Sequence, residues 1–159
     1  MENRKINVIS TVDAMVAIDD PQVRFSRTWE RKGTIRQIDF DTLRELSYNL
    51  GVWNMLTRGI LYIDDMEAKI ELGLESPDAK QPENIIVLND AQKKRYLTVM
   101  PVAEFKTACM KLGANELNNL VDYAIDNELI NYDKATILKQ LTSRDIIKTI
   151  ELNRADNND

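Results

Sequence analysis

Five cations, Arg24, Arg27, Arg31, Lys32 and Arg36, are interleaved with Phe25 and Trp29 in the stretch VRFSRTWERKGTIR. Guanidinium groups set among aromatic faces can pair with phosphates and stack on bases, which is how single-stranded nucleic acid is often held. The same side chains suit a protein surface, where arginine and tryptophan anchor contacts. Glu30 within the patch and the inward direction expected of Phe25 and Trp29 weigh against nucleic acid. Charged flanks also protect an edge hairpin from pairing with other sheets, a purely structural reason for the arginines.

Other reactive side chains offer less. Asp13, Asp19, Asp20 and the pair Asp64 and Asp65 supply carboxylates, but a calcium loop places oxygens at alternate positions around a central glycine and ends on glutamate. Neither group has that spacing, and a turn and a helix start account for both. Cys109 is the one cysteine, set in EFKTACMKL among apolar neighbours at helical spacing, and is expected to be a core residue and not a nucleophile. Histidine is absent. Its absence removes Ser-His-Asp and Cys-His catalysis, imidazole acid/base work and, with one thiol, nearly every zinc or iron site. The five glycines, at 33, 51, 59, 73 and 113, are too far apart for a phosphate-cradling loop. The expectation is therefore a protein that is not an enzyme, with no cofactor, no metal and no small-molecule substrate. Carboxylate chemistry with magnesium or calcium is the one catalytic class left standing.

Composition sets the frame for these residues. With 159 residues, 43% hydrophobic and 30% charged, the chain has enough apolar surface for one domain or a domain with an appendage. No apolar run approaches the roughly 20 residues of a membrane span, and MENRKINVIS lacks the apolar core of a secretory signal. An intracellular location with no membrane partner is expected. The net charge of -5 is uneven: residues 1 to 63 hold nine Lys and Arg against eight Asp and Glu, and residues 64 to 159 hold twelve against eighteen.

The spacing of apolar residues says which elements position the patch. KINVISTVDAMVAI is β-branched and predicts one or two strands, with a short helix over Thr11 to Ile18 as the alternative, and Asp19-Asp20-Pro21 ends it in a turn. Residues 23 to 40 predict a β-hairpin turning at Arg31-Lys32-Gly33, with Val23, Phe25, Arg27 and Trp29 on one face. One long helix follows, N-capped by Asp39 and burying Leu43, Leu46, Leu50, Trp53 and Leu56, with Gly51 as a kink or a break. Ile60 to Ile63 predicts a short strand and Asp64-Asp65 a helix start. ESPDAKQPEN, residues 75 to 84, has two prolines and few apolar residues and reads as a linker.

Helices dominate thereafter. Ile85 to Leu88 is a strand or the lead into a helix capped by Asn89, Pro101 opens another, and residues 115 to 130 form an amphipathic helix. Asp133 and Thr142 are the expected caps of the last two helices, with Asp145 in the second one's capping box. The three carboxy-terminal helices hold too many acids for a groove-reading unit.

TWERKGTIRQIDFDTLRELSYNLGVWNMLTRGILYIDDMEAKIELGL, IIVLNDAQKKRYLTVMP and LTSRDIIKTIELNR together resemble small proteins of tailed bacteriophages encoded near virion genes. The resemblance covers most of residues 23 to 154 and transfers no functional residue. It implies a virion structural or assembly protein that binds itself or other virion proteins and is located in the virion or the host cytoplasm.

The expected architecture is α+β: a small, mainly antiparallel sheet with one long helix over residues 1 to 74, a linker over 75 to 84, a helical subdomain over 85 to 154 and a frayed tail over 155 to 159. The expected function is contact with protein partners, by self-association or with virion proteins, through Arg24, Arg27, Trp29, Arg31, Lys32 and Arg36. The alternative is a nucleic-acid-binding accessory or regulatory protein using the same stretch.

Overall fold

β1 (Lys5–Ser10), β2 (Val16–Asp20), β3 (Phe25–Trp29) and β4 (Ile35–Asp39) lead into α1 (Phe40–Leu46), α2 (Leu50–Thr57), β5 (Leu61–Ile63) and α3 (Met66–Glu71). The structure, a computed structural model, describes residues 4–157 and divides between Val87 and Leu88 into two units of an α+β chain. In the first unit β1 lies between β4 and β5 in an antiparallel sheet, while β2 and β3 form a separate antiparallel ribbon. Alternation sets the faces: Ile6 and Val8 of β1, Ile38 of β4 and Leu61 and Ile63 of β5 point into one core with Leu43, Leu46, Val52 and Leu56 of the helices. Each such side chain contributes about 1.5–3 kcal/mol by leaving water.

The expected hairpin over residues 23 to 40 does not form, because its two strands belong to different sheets. β3 pairs with β2, from Val16 opposite Trp29 to Asp20 opposite Phe25, and β4 pairs with β1, from Lys5 opposite Asp39 to Ile9 opposite Ile35. The hairpin is instead residues 16 to 29 and turns at residues 21 to 24; of the expected turn Asp19-Asp20-Pro21, the two aspartates end β2 and the proline opens the turn. Asp20 Oδ1 accepts from the amides of Gln22 and Val23 at 3.0 and 3.4 Å, and the Arg24 amide donates to the Pro21 carbonyl at 3.2 Å. Residues 31 to 33 do turn, with Gly33 at φ +89, but the Gly33 amide donates across to Ser10 and so extends the pairing with β1. A period of two fixes which side chains share a face but not which strand lies alongside.

The single long helix is two. Asn49 starts α2 by accepting at Oδ1 from the amides of Gly51 and Val52 at 2.9 and 3.3 Å, so the break falls at Ser47–Asn49, ahead of Gly51. The change of phase overturns one assignment: Leu50, expected in the buried stripe, is 73% exposed. Asp39 stands at the N-cap of α1 but makes no side-chain cap bond, whereas Asp65 caps α3 through the Ala68 amide at 2.8 Å.

Residues 75 to 84 close on themselves within the first unit. Glu75 is buried, and its carboxylate accepts from the backbone amides of Glu83, Asn84 and Ile85 at 3.0–3.2 Å. A segment with few apolar side chains is held by one acid gathering amides, which composition does not reveal.

The second unit holds α4 (Asp90–Thr98), α5 (Val102–Met110), α6 (Ala114–Asp126), α7 (Tyr132–Thr142) and α8 (Ile146–Asn157). Leu117, Leu120, Val121 and Ala124 of α6 are buried along with Phe105, Cys109, Leu138, Ile146 and Ile150. Residues 85 to 88 form no strand; the Leu88 amide donates to the buried Glu116 carboxylate at 2.9 Å. Asn89 and Gln92 make the capping box of α4. The last two caps differ from expectation. Asn131, not Asp133, accepts from the Lys134 amide at 3.1 Å to start α7, Thr142 is its last residue, and Asp145 accepts from the Lys148 amide at 3.0 Å to start α8. Many residues here are competent caps, and the positive φ of Ser143, +64, decides where one helix stops. Of the tail expected to fray over 155 to 159, residues 155 to 157 continue α8, and 158 and 159 lie outside the described residues.

No helix among the described residues is long and apolar enough to cross a membrane.

Candidate functional site

The six residues singled out from the sequence separate into two groups of three. Trp29 is fully buried and its indole Nε1 donates to the Val8 carbonyl at 2.9 Å, so it ties the ribbon to the three-stranded sheet and offers no face to a ligand. Arg36 reaches from β4 to β3, donating through Nε to the Thr28 carbonyl at 3.0 Å and through Nη2 to Glu30 at 3.0 Å. Lys32 is half-buried and pairs with Asp13 at 3.5 Å. These three hold the fold.

Arg24, Arg27 and Arg31 are the other group. All three are exposed, and among the described residues none has a carboxylate within ion-pair distance. The two-residue period places Arg27 on the face of Phe25, and its guanidinium lies 5.7 Å from that ring's centre. Arg24 sits in the ribbon turn at φ +57, a conformation that suits glycine or asparagine better than a long side chain. The ribbon and the turn that follows it thus present guanidinium groups that are unneutralised among the described residues.

Beside the ribbon turn, the ends of α1 and α2 form two open depressions that share Tyr48. One, of about 530 Å³, is lined by Asp19, Pro21, Glu45, Tyr48 and Asn49; the other, of about 310 Å³, by Ser47, Leu50, Trp53 and Leu72 with the same tyrosine. Asn49 joins the two elements, since its Nδ2 donates to Asp20 Oδ2 at 3.2 Å while its Oδ1 caps α2. Tyr48 is 81% exposed. One continuous helix through residues 47 to 50 hides Tyr48 and misplaces Leu50. The local signal for the break is Ser47-Tyr48-Asn49, with asparagine as an N-cap.

Three of the other candidate carboxylates are structural. Asp20 holds the ribbon turn, Asp65 caps α3 and joins Glu67 and Glu71 around Arg4, and Asp13 pairs with Lys32. Among the described residues no three Cys, Asp or Glu side chains converge as a metal would need. Cys109 is fully buried in the second unit, and burial pushes its thiol up to about 12, with the Lys134 charge acting weakly the other way. Lys134 is itself buried, its Nζ donating to the Tyr96 carbonyl at 2.8 Å, and burial lowers its pKa. A protonated thiol beside a lysine committed to a helix end is packing, not a nucleophile with its base.

No family model matches this chain, and comparison with curated proteins and with solved structures finds no match either.

Proposed function

We propose that this chain is a non-enzymatic contact protein that binds other proteins through Arg24 and Arg27 of the ribbon and Arg31 of the turn that follows it, and that it serves as a structural or assembly component of a tailed-phage virion. The observation that carries the contact reading is the division of the basic stretch: Lys32, Arg36 and Trp29 are bound internally, while three arginines remain exposed without an acid partner among the described residues. Exposed guanidinium groups carried by β3 and the turns that flank it are donors for carboxylates and carbonyls of a partner surface. The virion part of the reading rests on the resemblance of residues 23 to 154 to phage proteins.

Protein is favoured over nucleic acid by what happens to the aromatics. A single-strand site stacks bases on exposed rings, but Trp29 is 0% exposed and Phe25 is half-buried beneath Arg27. Two measurements test the reading. Mass spectrometry of purified particles of the encoding phage is expected to find the chain at a fixed stoichiometry, reduced in an Arg24→Ala, Arg27→Ala, Arg31→Ala variant; its absence from particles and from assembly intermediates overturns the virion role. Tight binding of a mixed-sequence single-stranded oligonucleotide that falls steeply with salt and vanishes in the triple variant replaces the protein reading with the nucleic-acid one.

A further inference from the structure

The turn that closes the β2–β3 ribbon carries both signs of charge without pairing them. Arg24 in the turn, Asp19 just before it and Glu45 across the depression are all exposed, and among the described residues none of the three has an ion-pair partner. The arginine holds φ +57, a strain that glycine would avoid and that persists only where the surrounding turn enforces it. Next to these charges lies an apolar shelf, with Tyr48 81% and Leu50 73% exposed over the half-buried Trp53 and Leu72. Large apolar side chains exposed together with unneutralised charges of opposite sign mark a surface made to be covered.

We propose that this face is a two-fold self-association surface, on which the ribbon turn of each copy rests against the Tyr48–Leu50 shelf of a second copy and Arg24 of each meets Asp19 and Glu45 of the other. The proposal rests on the reading of the chain as a contact protein and names one partner, itself. The charge arrangement selects that partner. A patch of one sign calls for a different protein of the opposite sign, whereas adjacent unpaired groups of both signs complement themselves under a two-fold rotation, since residue i then meets residue j and j meets i. Tyr48 lines the same depression as both carboxylates, so covering it in the dimer excludes water from the contact, which strengthens an arginine–carboxylate bond.

Two-fold geometry gives a specific test by sedimentation equilibrium of the full chain at rising concentration and at low and physiological salt. The wild type is expected to show a reversible monomer–dimer equilibrium. Arg24→Glu and Glu45→Arg are each expected to weaken it, because each homodimer then sets like charges together twice. An equimolar mixture of the two variants restores opposite charges at both contacts of the mixed dimer and is expected to associate at least about tenfold more tightly than either variant alone. Arg24→Gly removes the guanidinium while easing the turn, so it is expected to lose the dimer with its melting temperature kept or raised. A wild type that stays monomeric throughout, a dimer indifferent to Arg24→Gly, or a mixture no tighter than its parts overturns the proposal. A monomeric chain still found in phage particles overturns self-association and leaves the contact function standing; a dimer absent from every particle does the reverse.

Discussion

The indole of Trp29 and the backbone carbonyl of Val8 share a buried hydrogen bond of 2.9 Å that joins the two-stranded ribbon to the central strand of the three-stranded sheet. The bond explains why the most conspicuous aromatic of the basic stretch is unavailable to a ligand. It also sets the position of the ribbon, and hence of the exposed arginines, relative to the sheet of the same unit. Trp29→Phe removes the donor and is expected to cost about 1–3 kcal/mol, the penalty of a buried group left unsatisfied. Trp29→Ala also leaves a cavity and is expected to cost about 3–5 kcal/mol. Urea denaturation followed by circular dichroism measures both; a Trp29→Phe variant as stable as the wild type would show that the bond contributes nothing.

Asn49 stands between the ribbon turn and α2, and its two functions can be separated. Asn49→Ala loses the cap to Gly51 and Val52 and the bond to Asp20, and is expected to cost about 1–2 kcal/mol. Asn49→Asp keeps the cap but sets a second carboxylate against Asp20 Oδ2, so it is expected to be less stable than Asn49→Ser at neutral pH, with the difference shrinking in acid. Thermal melts across pH check the order.

Glu75 gathers the amides of Glu83, Asn84 and Ile85 in a loop with almost no apolar anchor. Glu75→Ala leaves those donors without their acceptor, and residues 76 to 82 are expected to be cut several times faster in limited proteolysis while β1, β4 and β5 stay protected in hydrogen exchange. Unchanged cleavage would mean that the prolines alone shape the loop.

Cys109 sets a pH dependence. Its thiol is pushed up to about 12 by burial, above the ordinary thiol value of 9.0, to which unfolding returns it. The native state therefore keeps its proton where the unfolded state loses one. The stabilising contribution is whole below about 9 and is lost as pH rises toward about 12. Denaturation midpoints at pH 8, 9 and 10 are expected to fall for the wild type more than for Cys109→Ala. Consistent with that, a thiol reagent at pH 8 is expected to label Cys109 only at the rate of unfolding; rapid labelling of the folded protein would place the thiol at the surface.

Gly33 turns the chain at φ +89 with open space where a Cβ would stand. Gly33→Ala is expected to cost about 1 kcal/mol from backbone strain alone. The same unfolding measurement tests it, and a neutral result would require the turn to relax to negative φ.

Much of this molecule was legible in its residues. The α+β class, the helical second half, the burial of Trp29 and Cys109, and the helix starts at Asp65 and Asn89 follow from local rules: alternation, three-and-four spacing, and side chains that satisfy the first free amides of a helix. The exclusion of imidazole and paired-thiol chemistry is likewise a matter of inventory. The hairpin over 23 to 40 was not recoverable that way. β3 and β4 each have the alternation of a good strand and a glycine turn between them, yet β1 takes one and β2 the other, because pairing is settled by which edge completes the buried core.

The same distinction governs the candidate site. Sequence determined that five cations would cluster around Phe25 and Trp29, since charge and aromatic content are properties of the chain itself. Only the tertiary structure decided that Lys32 and Arg36 are neutralised by Asp13 and Glu30, that Arg24, Arg27 and Arg31 stay open, and that Tyr48 and Leu50 emerge at the surface. Whether a charge is free depends on acids distant in sequence, and whether a leucine is buried depends on the phase of a helix that Asn49 restarts.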